Sequence, residues 1–145
     1  MTPEQTNLIR LIFVQVMDRK LEAGRLFYDR LFSIAPDTRA LFGSDIDAQA
    51  QKLMDTLALA IGSLRDLPSL VKMLEALALR HVRYGVHDGH YDQVGAALLW
   101  TLERILGPAF TPDVQKSWAE LYGTVASVMR KASEPQEQRA AQALR

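Results

Sequence analysis

Apolar residues in this chain return at steps of three and four. Leu53, Leu57, Ala60 and Leu64 form one row, Leu70, Leu74 and Leu77 a second, and Val114, Trp118, Leu121 and Val125 a third. A period near 3.6 residues puts each row on one helix face, and no strand-like alternation competes with it. The punctuation agrees. Thr2-Pro3 followed by Gln5, and Thr111-Pro112, carry the cap-then-proline pattern of helix starts. Pro36 and Pro68 sit where further helices can begin, Gly43 and Gly107 are placed like C-terminal caps, and Pro108 blocks continuation. The spacing predicts helices near 3–18, 20–34, 36–42, 46–65, 68–84, 91–106 and 112–131, an all-α fold. Residues 1–132 read as one domain, and 133–145 as a polar tail, frayed or a helical extension.

Three polar side chains interrupt the apolar rows. Extending the row of the fifth helix gives Leu70, Leu74, Leu77 and then His81, which is expected to point into the core. On the helix before it, Gln49 shares a face with Ile46, Leu53 and Leu57. On the second helix, Tyr28 shares one with Leu21, Gly24 and Leu31, and Gly24 is placed where another helix could cross closely. A core histidine bonded to a neighbour is the plain reading of His81 alone. Three inward polar groups on three helices are harder to dismiss, because each unsatisfied buried polar atom costs roughly 1–3 kcal/mol. They point to something seated between them.

Composition narrows what that can be. The 145 residues contain no cysteine, which excludes thiolate nucleophiles, disulfides, zinc thiolates, iron–sulfur clusters and thiolate-bound haem. Any metal must be held by nitrogen or oxygen. Seventeen basic and seventeen acidic residues cancel, leaving no basic footprint for nucleic acid and no bias toward an anionic membrane. The first twenty residues lack a signal-like pattern and no long apolar run follows, so a soluble, cytoplasmic protein is expected. His87 and His90, with Asp88 and Asp92 nearby, have residue types that suit zinc, but a His-x-x-His spacing reads first as a polar surface loop. No Ser-His-Asp set, phosphate loop or paired carboxylates can be placed.

The segments LFYDRLFSIAPDTRALF, LRHVRYGV and LGPAFTPDVQKSWAELYGTV resemble those of single-domain bacterial globins, with further similarity to neuroglobin, from about Leu8 to about Met129. The resemblance implies a globin fold, seven to eight helices around a haem pocket, and haem b as cofactor. Carried over position by position, His81 is similar to the proximal histidine that binds haem iron, and Phe42 to the aromatic wedge against the porphyrin. Gln49 and Tyr28 take distal positions and Leu53 closes the pocket; Tyr91 and Val94 line the haem edge, Leu77 and Val86 the proximal side. Lys52, Arg80, Arg83 and His87 are candidate cations for the haem propionates. With Gln49 in place of a distal histidine, bis-histidine haem cannot form by neuroglobin's route. Tyr122 matches a tyrosine that flavohaemoglobins place behind the proximal histidine, but Ser133 stands where their glutamate would be, with Glu134 one place later.

The function implied is reversible binding of O₂, and of NO or CO, at ferrous iron, with a phenol and an amide as donors. NO dioxygenation needs electrons as well, and the chain has no Gly-rich dinucleotide fingerprint, so it would need a separate reductase. A haem-based sensor would need an output partner.

Overall fold

The computed structural model describes the backbone of residues 1–143 and the side chains of residues 1–134. Among them are six α-helices, α1 (Pro3–Met17), α2 (Lys20–Ile34), α3 (Ile46–Gly62), α4 (Leu67–Arg83), α5 (Asp88–Leu106) and α6 (Pro112–Ala143), with 3-10 segments at Pro36–Leu41 and Gly107–Ala109 and no strand. None of these helices is long and apolar enough to cross a membrane.

The caps explain the boundaries. Thr2 Oγ1 accepts from the Gln5 amide at 3.1 Å while Gln5 Oε1 accepts from the Thr2 amide at 2.9 Å, the reciprocal pair expected from the sequence. Asp45 and Asp66 cap α3 and α4 through the amides of Ala48 and Ser69. α3 stops at Gly62, short of the expected 65, where the ladder tightens: the Leu64 and Asp66 amides reach the Ile61 and Ser63 carbonyls, three residues back rather than four. α6 continues past the expected end at 131; the tail's side chains beyond 134 lie outside the described residues.

Two glycines let helices cross at close range. A Cβ on Gly24 would lie 2.5 Å from Ala50 Cβ, so α2 and α3 meet backbone to backbone there. A Cβ on Gly95 would lie 2.6 Å from the Tyr122 ring, which fixes α5 against α6. α2 packs on α3 and α5, whereas α4 packs on α6. Trp118 is fully buried beside Phe13, with ring centroids 5.9 Å apart. Trp100 lies half-buried between the guanidinium groups of Arg30 and Arg104, at 5.0 and 5.3 Å.

Candidate functional site

The burial of α3 and α4 departs from the sequence reading in one instructive way. In α4 the fully buried row is Leu70, Leu74 and Ala78, while Leu77 and His81 are half-buried. In α3 the buried row is Ala50, Met54 and Ile61, while Gln49, Leu53 and Leu57 are half-buried. Neighbouring rows differ by one residue, about 100° round the helix. His81 is therefore half-buried, one row round from the fully buried face of a helix that packs against α6. The same holds for Gln49, whose helix gives α2 its small-residue row at Ala50. Phe42, Val86 and Val94 are half-buried too, Tyr28 and Tyr91 are buried, and Lys52 and Arg80 are exposed.

His81 is held from behind. Its Nδ1 lies 2.7 Å from the Leu77 carbonyl oxygen, and because a carbonyl can only accept, Nδ1 carries the proton. Nε2 keeps its lone pair. Burial lowers the imidazole pKa below its ordinary 6.5, which the Leu77 carbonyl partly opposes and the Arg80 charge reinforces. The ring is therefore neutral at pH 7, the form that binds metal. Gly85, at φ +93°, ends the helix just beyond: its amide reaches the Val82 carbonyl and the Val86 amide the His81 carbonyl, at 3.1 and 2.9 Å. This closed turn fixes the backbone that carries the imidazole.

On the second helix, the Tyr28 oxygen accepts from Gln49 Nε2 at 3.3 Å across the Gly24–Ala50 crossing. Among the described residues the phenol's own proton has no hydrogen-bond acceptor, although Tyr28 is 3% exposed. Desolvation raises the phenol pKa more than the Gln49 bond lowers it, so Tyr28 stays a donor. Phe42 packs edge-on against it, 5.2 Å between centroids. Tyr28, Phe42 and Gln49 thus form one cluster.

Other sequence-selected residues are not joined to it. Tyr122 donates to the Tyr91 carbonyl at 2.5 Å rather than to His81, and Ser133 Oγ donates to the Arg130 carbonyl. The tyrosine expected behind the proximal histidine is therefore occupied in bracing α5.

The polar loop expected around His87 and His90 is instead the start of a helix. α5 begins at Asp88, ahead of the expected 91, because His90 Nδ1 accepts from the His87 amide at 3.1 Å and caps the first turn. His90 is 5% exposed, and its Nε2 lies 3.3 Å from Asp37 Oδ2. Its partner is 53 residues away, so no local pattern marked it. Asp88 and Asp92, considered as metal ligands on sequence grounds, are both held by Arg130.

A haem group fits these residues. A neutral imidazole with an available Nε2 stands on one helix, a buried phenol with an unaccepted proton on another, and half-buried apolar rows flank both. Residues 25–129 match the family model described as Globin. The neuroglobins of Chaenocephalus aceratus and Dissostichus mawsoni are each 29% identical to the chain, covering 89% of it and 90% of themselves. The flavohemoprotein of Bordetella pertussis is 30% identical over 89% of the chain, which spans 33% of that protein's length. The chain belongs to the globin family, whose members bind haem and, with it, small gas molecules.

Proposed function

We propose that His81 Nε2 would hold haem b and that the chain would bind O₂ reversibly with it, Tyr28 and Gln49 serving as hydrogen-bond donors. The observation that carries this reading is the Tyr28–Gln49 pair: the amide donates to the phenol oxygen, so the phenol proton can be given to a second acceptor. Ferrous haem supplies the open coordination position for a diatomic gas. The protein's part is to hold the donors, exclude water and keep the imidazole neutral. The Leu77 carbonyl fixes the ring of His81 and strengthens its donation. Phe42 and Leu53 close the distal side, Leu77 and Val86 the proximal side, and Tyr91 and Val94 the edge. Lys52 and Arg80, both exposed, are the cations offered to the propionates.

Each donor contributes on the order of 1–1.5 kcal/mol to ligand retention, about tenfold in affinity. Tyr28→Phe and Gln49→Ala should each speed O₂ dissociation, and His81→Ala should abolish the reversible change between deoxy and oxy visible spectra. Unchanged dissociation in both distal variants would remove the donor assignment; an unaltered spectrum in His81→Ala would remove the iron ligand. Likeness to a flavohemoprotein, a name that joins flavin to haem, favours a second reading in which the same site would combine NO with O₂ to give nitrate, with one electron per turnover supplied by a separate reductase. NO consumption that depends on added reductase would distinguish it from plain binding.

A further inference from the structure

We propose that Asp37, His87 and His90 form a second metal site, for a late first-row divalent ion with zinc foremost. Asp37 belongs to the Pro36–Leu41 segment, His87 immediately precedes α5, and His90 lies in its first turn. One donor atom from each can be chosen so that all three lie within 4.8 Å of one another. A tetrahedral zinc with bonds near 2.0–2.2 Å needs its donors about 3.4 Å apart. The His90 Nε2 to Asp37 Oδ2 separation, 3.3 Å, already meets that requirement. Only His87 has to close in. It is exposed and its ring stacks on His90 with centroids 3.7 Å apart, so a side-chain rotation suffices.

The donor set selects the ion. Two imidazoles and one carboxylate suit zinc, copper(II) or nickel(II), and are poor for calcium or magnesium, which want oxygen. The carboxylate neutralises half of the ion's charge, and water completes the shell. Two terms oppose binding. The amides at the start of α5 present the positive end of the helix dipole to a cation. The proton on His90 Nε2 must also move to Nδ1, which ends the bond from the His87 amide. Water at an exposed His87 can take over that amide. Bound metal would tie the Pro36–Leu41 segment to the connection between α4 and α5.

The test uses the full, haem-loaded, untagged chain, stripped of adventitious metal with a chelator and dialysed against zinc, with bound zinc counted by mass spectrometry. One equivalent per chain is expected, with affinity lowered roughly tenfold or more in His87→Ala and in Asp37→Asn. His87→Ala touches an exposed side chain, so its helical circular dichroism should be unchanged even where His90→Ala fails to fold. Zinc should also raise the thermal midpoint of the wild type and not of His87→Ala. Absence of saturable zinc binding, or equal binding by wild type and His87→Ala, would overturn the site. Neither result bears on the assignment of the iron ligand and distal donors, which rests on His81, Tyr28 and Gln49.

Discussion

At the residue scale, the state of one imidazole has a thermodynamic signature. Burial lowers the pKa of His81 in the folded chain below 6.5, so the unfolded chain binds the proton more readily. Stability from this group is complete above 6.5 and is lost as pH falls toward the folded value. The haem-free chain should therefore show a falling urea midpoint between about pH 7.5 and 5.5, part of which disappears in His81→Leu. A pH profile identical in wild type and variant would mean that His81 is not desolvated. Single residues were unevenly legible in the sequence. His81, Gln49 and Tyr28 could be found because each interrupts an apolar helical row, a signal confined to one helix. The partnership of His90 with Asp37 joins two distant elements, and neither residue stands out from its neighbours.

At the element scale, the tightest constraint is the crossing of α2 and α3. Gly24→Ala would bring its new Cβ to 2.5 Å from Ala50 Cβ and within 3.1 Å of two Ala50 backbone atoms, none of which can rotate away. The helices must part, at a cost of roughly 1–3 kcal/mol. A lower thermal midpoint is expected, together with faster O₂ release, because the Gln49–Tyr28 bond spans the same crossing. Gly123→Ala is the control: nothing lies within 4 Å of a Cβ there, and α6 should gain up to about 1 kcal/mol. An equal effect of the two substitutions would mean that the crossing is looser than described. Element ends are legible in the sequence where they carry proline or a capping side chain, as at Thr2. They are not legible where a cap depends on geometry, as with the histidine cap that starts α5 at Asp88. The face of α4 was displaced because periodicity gives the apolar arc but not which part of it a neighbour will cover.

At the scale of the whole molecule, the proposed distal and proximal walls lean on different partners. α3 leans on α2, α4 leans on α6, and each leaves a half-buried apolar row. Haem that binds the folded chain alone stabilises it by mass action, so loading should raise the thermal midpoint and His81→Ala should reduce that rise. A midpoint indifferent to haem would contradict the site as built. The placement of the two tryptophans supplies an optical readout of this process. Trp118 and Leu53 line the same small apolar gap in the core, so Trp118 is near the proposed distal wall yet shielded from solvent. A porphyrin beside that wall would accept its excitation by resonance energy transfer, whereas Trp100, half-buried between two arginines, remains open to dissolved anionic quenchers such as iodide. Emission that iodide cannot reach therefore reports on cofactor insertion, and the chain carries its own fluorescent gauge of haem content.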